Sequence, residues 1–323
     1  MRVIVVAAAF LAIALNLFAE KSSLVISKQY GLGYLPLIIA EEQKLIENRA
    51  KLAGLGDIKI EWATFGGGST ANDALLSGTA DLVSGGVAPL VRLWDKTDGK
   101  VKALAALNDA PITLVTSNPK IKSIKDLTDK DRIALPSVKV SIQALALQIA
   151  AAKEFGIENY DKFDHLTVTL KHPDAFTALT SGKSEITGHI GLEPYASLEL
   201  ENPKLHKVFS SYDYFGGAHT TNIVWTTEKF YNENPKLARS IVEALNEADE
   251  WIKKNPKEAT KVYLASYGSK ESPELIERIL KQELAYQIKP LPNVTVFSDF
   301  LYETGATKHK AKDWKELFFD AVH

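Results

Sequence analysis

The sequence predicts an α/β protein of two similar lobes, each a mainly parallel sheet flanked by helices, joined by two crossovers. Three observations predict it. The stretch Ala74-Leu-Leu-Ser-Gly-Thr-Ala-Asp-Leu-Val-Ser-Gly-Gly86 is echoed 104 residues later by Ala178-Leu-Thr-Ser-Gly-Lys-Ser-Glu-Ile-Thr-Gly-His-Ile190. Each copy reads as a helix end, a Ser-Gly stop and an apolar strand opened by an acid, Asp81 or Glu185. Between and around the copies, β-rich runs alternate with Gly-rich turns and helical stretches, the pattern of a parallel sheet covered on both faces. The chain also has 323 residues, 46% hydrophobic and 24% charged, enough for two cores.

Taken in order, residues 1–19 carry one Arg ahead of an apolar run closed by small residues, the form of an export leader cut near Ala19. An uncleaved membrane anchor is the alternative. Residues 20–110 form the first part of lobe I. Ser23–Ser27 is a strand, Gly31–Pro36 a turn, and Leu37–Gln43 a helix; Ile58–Trp62, Phe65–Thr70 and the helix opened by Thr70 repeat the sequence of elements. Asp81–Ser84 and Val101–Leu107 add strands around a helix over 88–96. Residues 111–220 form lobe II. There Ser141 caps a helix to Phe155 with Ile142, Leu145, Ala146 and Ile149 on one face, and a helix starts at Pro173. Residues 221–323 return to lobe I as the strand Ile223–Trp225 and helices at 235–253, 256–265, 273–282 and 313–322.

Composition excludes several classes. The net charge of −2 comes from 38 basic and 40 acidic residues without blocks, so no footprint for nucleic acid exists. With no Cys, thiol nucleophiles, zinc-thiolate sites and a lipid-modified N-terminus are absent from the mature chain. Gly-x-Ser-x-Gly, His-Glu-x-x-His and the phosphate-loop motif are missing, because Gly66-Gly-Gly-Ser-Thr70 lacks the following Lys. No catalytic residue, metal or cofactor is expected.

Ligand-facing candidates lie after strands, where helix starts present N–H groups. They are Gly68, Ser69 and Thr70, and Gly86, in lobe I, with Ser137, Lys139 and Ser141 in lobe II. For each, plain turn and capping chemistry is the competing reading. Sliding by 104 sets His172-Pro-Asp174 on Gly68-Ser-Thr70, so His172 and Asp174 face the cleft or, for Asp174, merely complement the helix dipole. His189 and Glu193 have a His-carboxylate spacing two ligands short of a closed metal site; Glu193 otherwise serves as an acceptor for a ligand amine or as a solvated carboxylate before Pro194. Tyr34 and Phe65 offer apolar walls, whereas Trp225 in its β-branched run reads as core.

The stretch from Gly33-Tyr-Leu-Pro36 to Ile46, the segment from Ala74 to Pro89, that from Ile124-Lys-Asp-Leu127 to Pro136, Ala178–Ile186 and the helix around Asn234-Pro-Lys236 resemble the periplasmic substrate-binding proteins of ABC importers of the nitrate, sulfonate and taurine class, whose domain is shared with thiamine-pyrimidine synthesis proteins. The resemblance spans most of residues 24–250 and implies a type II two-lobed fold closing on a small-molecule ligand, with contacts at Tyr34, Gly68, Ser69, Thr70, Gly86, Ser137 and Ser141. It also implies a periplasmic monomer that delivers its ligand to an ABC permease. A pyrimidine-precursor binding protein, an enzyme on the same scaffold and a periplasmic sensor subunit are the alternatives. The longer Asn48–Asp57 connection, His172-Pro-Asp174 and Gly217-Ala-His-Thr220 depart from the family pattern and leave the ligand open.

Overall fold

The computed structural model describes residues 19–269 and 271–322; the expected leader falls on residues 1–19 and, apart from Ala19, lies outside them. Eleven strands appear in the described residues: β1 (Ser23–Lys28), β2 (Lys59–Thr64), β3 (Val83–Gly86), β4 (Val101–Asp109), β5 (Thr113–Thr116), β6 (Ile133–Leu135), β7 (Thr167–Thr169), β8 (Gly188–Gly191), β9 (His206–Ser210), β10 (Thr220–Thr227) and β11 (Ala285–Tyr286). Lobe I runs β2-β1, then β3-β10-β4-β11, the two sheets being joined by a parallel bridge from Ile26 to Leu82. Lobe II runs β7-β6-β8-β5-β9. The plan is the same in both. Parallel pairing holds among the strands linked by crossover helices (β1 with β2, β6 with β7 and β8), and the strands delivered by the interlobe crossings, β10 and β5, run antiparallel to their neighbours.

The repeat seen in the sequence is a repeat of structure. Helix Gly68–Ser77 in lobe I corresponds to helix His172–Ser181 in lobe II at an offset of 104 at both ends, and both stop at a left-handed Gly, Gly78 and Gly182. Ser141 caps helix Ile142–Phe155 as expected, its hydroxyl accepting from Ala144 N at 3.2 Å. Trp225 is fully buried, with its indole N–H donating to Asn72 Oδ1 at 3.1 Å. It belongs to the core.

Helices Pro235–Lys254, Pro256–Tyr267 and Pro273–Gln282 each begin with Pro, whose missing N–H costs nothing in the first turn. The first of them is capped from far away. Glu20 accepts from Lys236 N and Leu237 N at 3.1 and 2.8 Å, and Lys21 N donates to Asn234 Oδ1 at 2.8 Å. The first described residues thus sit on the dipole-positive end of a 20-residue helix.

The expected helix over 313–322 is not formed. Residues Trp314–Glu316 and Asp320–Val322 make single 3-10 turns, and between them the backbone of Ala103 exchanges hydrogen bonds with Leu317 O (2.8 Å) and Phe319 N (2.9 Å). Strand-like pairing with β4 takes the carbonyl and amide that a helix would use. That pairing fixes the chain end on lobe I, and Phe319 stacks on Tyr231 at 4.2 Å.

Candidate functional site

A cavity of about 390 Å³ lies between the lobes, lined by Gly66, Gly67, Ser69 and Thr70 from lobe I and by Ser137, Lys171 and Asp174 among residues of lobe II. Both helices that open onto it lack a capping side chain: Gly67 precedes Gly68–Ser77 and Lys171 precedes His172–Ser181, neither providing one. First-turn N–H groups have no partner inside a helix, and those of Gly68–Ser77 suit an acceptor-rich guest; in His172–Ser181 Pro173 has no N–H and Asp174 N donates to Lys171 O at 3.0 Å, so the amide donors come chiefly from lobe I. Lys171 and Asp174 pair at 3.6 Å, both about half exposed, and the Lys171 ammonium lies 5.8 Å from the Tyr30 ring across the cleft. The cavity therefore offers a cation, an anion and free amides together.

The lobes meet around it. A Cβ on Gly67 would stand 2.6 Å from Ser137 Oγ and 2.8 Å from Pro136 O, and one on Gly86 would stand 2.5 Å from Ile142 Cγ2. Gly31, at φ 120°, turns its backbone so that Leu32 N donates to Glu193 O at 2.8 Å. Any side chain at Gly31 would suffer both the backbone conformation and a 2.9 Å contact with that carbonyl. Arg92 of lobe I donates to Lys139 O at 3.0 Å, and Arg278 pairs with Glu201 at 2.8 Å.

Behind the lobe II wall runs a chain of buried polar side chains. Gln143 Nε2 lies 3.1 Å from His172 Nε2, His172 Nδ1 lies 2.8 Å from His189 Nε2, and His189 Nδ1 lies 2.6 Å from Glu199 Oε1. Tyr195 stacks on the His172 ring at 5.6 Å. Burial lowers His172, which the adjacent His189 lowers further; burial alone brings His189 down to about 3 and raises Glu199. The chain is thus held with neutral rings. Glu193, next along the strand end, is pushed up to about 7 by burial.

The family model NMT1/THI5 like matches residues 53–259. The chain belongs to the NMT1/THI5-like family. A direct sequence comparison with curated proteins returns no match. Among solved structures, this family member is similar to the alkanesulfonate-binding protein of Xanthomonas axonopodis pv. citri bound to MOPS, at 19% identity and a TM-score of 0.73, covering 93% of this chain and 99% of that one. It is similar as well to the periplasmic aliphatic sulphonate binding protein of Escherichia coli (20%, TM-score 0.69, 93% of each chain). The periplasmic nitrate-binding protein of Synechocystis matches at 17% and a TM-score of 0.69, covering 90% of this chain and 83% of that one. At these identities the likeness is one of fold, and it agrees with the two-lobed architecture. Among the described residues no helix is long and apolar enough to cross a membrane, and no group of three or more His, Asp or Glu could hold a metal ion.

In this NMT1/THI5-like chain, Ser69, Thr70, Ser137 and Asp174 line the cavity. Other residues singled out from the sequence stand around it in supporting positions. Gly68 packs on Pro89, Gly86 on Ile142, and Tyr34 is buried with its hydroxyl donating to Asn222 Oδ1 at 3.0 Å. Lys139 holds φ 63° and offers its carbonyl to Arg92, while Ser141 is occupied as a cap. His172 and His189 are buried in the polar chain, His189 fully. Glu193 is not the solvated carboxylate considered above. It is 4% exposed, and its Oε2 accepts from Ser197 N at 3.3 Å. Lys171, Gln143, Tyr195 and Glu199 escaped the reading of the sequence. For Lys171 the signal was present, since the same offset of 104 sets it on Gly67.

Proposed function

We propose that this protein is the solute-binding component of an ABC uptake system, capturing a small anionic or zwitterionic organic solute between its lobes and delivering it to a permease. The observation that carries the reading is the convergence of two uncapped helix starts on one interlobe cavity that also holds the Lys171–Asp174 pair. An anionic head is met by the first-turn N–H groups of helix Gly68–Ser77 and by Lys171, and an amine by Asp174. Ser69, Thr70 and Ser137 supply hydroxyl contacts in this reading, with Gly68 and Gly86 giving the backbone its close approach. The function is binding without chemistry, in an exported monomer from which the leader ending near Ala19 has been removed. Relatives named for sulfonate and nitrate binding share its fold, which supports this class of solute.

Thermal unfolding of the chain from Glu20 onward, with taurine, methanesulfonate, nitrate and an aminopyrimidine, tests the proposal. A bound solute at about 100 times its Kd adds about 2.7 kcal/mol. Stabilisation by taurine or methanesulfonate is expected. Stabilisation by the aminopyrimidine alone would replace the reading with that of a pyrimidine-precursor binder.

A further inference from the structure

We propose that the protein carries a second small-molecule site, apart from the solute cavity, which takes an amine with an aromatic or branched apolar body and, by touching both lobes, holds them together. The site is a cavity of about 460 Å³ that shares no lining residue with the one described above. Its apolar walls include Ile149, Ala152, Ile157 and Phe215 from lobe II and Val296 and Phe300 from lobe I. Two aromatic contacts fix its shape. Phe215 meets the fully buried Phe297 edge-on at 5.4 Å, and Tyr160 of lobe II meets Phe300 of lobe I edge-on at 6.0 Å.

The walls select the body of the guest. The volume lies within the range of about 300–1,000 Å³ usual for ligand pockets, and side chains that cannot hydrogen-bond gain most from covering an apolar ring or branched chain. Ile157 is left 44% exposed at its edge, so a guest seated there removes apolar surface from water.

The charges select the head group. Three charged side chains line the cavity, and two are occupied: Lys153 Nζ donates to Tyr214 O, and Asp299 pairs with Lys310 at 3.5 Å. Glu303 has no partner among the described residues. Next to the lining, Glu154 is held by Lys125 at 2.7 Å and by the Tyr214 hydroxyl at 3.3 Å. A carboxylate head would meet Glu303 as a like charge, whereas an ammonium pairs with it and is attracted by the aromatic rings of the same cavity.

The hold on the lobes follows from who supplies the walls. Helix Val296–Glu303 packs on helix Val87–Lys96 of lobe I, while helices Ile142–Phe155 and Ser211–Phe215 belong to lobe II. The arrangement that brings these walls together also sets Gly67 against Ser137. A guest bound from both sides loses one wall when the lobes separate, so it shifts the population towards lobe contact.

Methyl NMR of the chain from Glu20 onward, titrated with phenethylamine, phenylacetate and ethylamine, tests the site. Phenethylamine is expected to shift the methyls of Ile149, Ile157 and Val296 along a saturating curve, phenylacetate to bind roughly tenfold more weakly, and ethylamine, the head without the body, to leave them unmoved. Glu303→Gln should lower phenethylamine affinity by roughly three- to fivefold. Ala152→Phe fills the cavity and should abolish the shifts. If that variant does not fold, Ile157→Ser at its exposed position replaces it, with an expected loss of about tenfold. Scattering from the chain without solute is expected to give a smaller radius of gyration once phenethylamine is added. Unmoved methyls, equal binding of phenethylamine and phenylacetate, or affinity that survives the cavity variant overturns the site. Methyl shifts with an unchanged radius of gyration overturn its hold on the lobes. None of these readouts involves the solute cavity, so the proposed function stands or falls separately.

Discussion

The helix starts at Gly68 and His172 occupy equivalent places in two lobes of the same plan, yet they are built from opposite materials. Lobe I supplies Gly66, Gly67 and Gly68, bare backbone that lets Pro136 and Ser137 approach to a distance no side chain would allow. Lobe II supplies Lys171, His172, Pro173 and Asp174, with a chain of buried polar groups fixing the imidazole from behind. Duplication of a fold therefore fixes where a cleft lies, while the division of labour within it is set residue by residue. One wall gives space and amide donors; the other gives charge and titratable groups.

The most severe way to break this comparison is to give lobe I a side chain. Gly67 has φ −179°, extended backbone that any residue adopts, so Gly67→Val leaves the local conformation intact and acts only on the approach of the lobes. Overpacking of this kind costs about 1–3 kcal/mol, here borne by the closed form, and lowers solute affinity by roughly 5- to 150-fold. Small-angle scattering should show a larger radius of gyration with an unchanged melting temperature. Identical scattering from variant and wild type would mean that the glycine does not serve closure.

Buried acids sharpen the contrast. Asp249, in helix Pro235–Lys254 of lobe I, has an unpartnered Oδ1, and burial raises it from 3.8 to about 8. Between those values the folded chain keeps a proton that the unfolded chain has lost, so stability is full below about pH 4, declines as pH rises, and levels off above about pH 8. Asp249→Asn should remove that slope and stabilise the protein at neutral pH by on the order of 2 kcal/mol. Melting temperatures at acidic and mildly alkaline pH check it; a variant whose advantage is the same at both would discount Asp249 as the titrating group. Glu199, tied to His189, has no such simple replacement.

The smallest effect is expected at the rim. Arg92 bridges the lobes through one hydrogen bond to Lys139 O, and Arg92→Ala should weaken closure by about 1 kcal/mol, a fewfold loss of solute affinity, with little change in melting temperature. A loss as large as that of Gly67→Val would shift the main interlobe contact from the glycines to this arginine.

Much of this was legible because it is local or periodic. Ser141 as a cap, Pro at three helix starts, Trp225 in the core and the 104-residue repeat follow from spacing and backbone chemistry within short windows. The site was only partly legible. Ser69, Thr70, Ser137 and Asp174 line the cavity because residues after strands face it in this kind of sheet. Gln143 and Glu199 sit on helices as ordinary polar residues, and nothing near them in the chain announces that they end one hydrogen-bonded row.

By itself, the sequence determined the elements, the two-lobe plan and the exclusion of thiol and zinc-thiolate chemistry, since these depend on residue type and local period. The tertiary structure alone decided that 313–322 gives up helix for pairing with Ala103, that Glu20 caps a helix beginning at Pro235, and that His172, His189 and Glu199 share a buried row. Each of these joins groups that compete for partners across long chain separations or between neighbouring elements. The winner of such a competition is set by distance and burial in the folded chain, which local sequence preference does not contain.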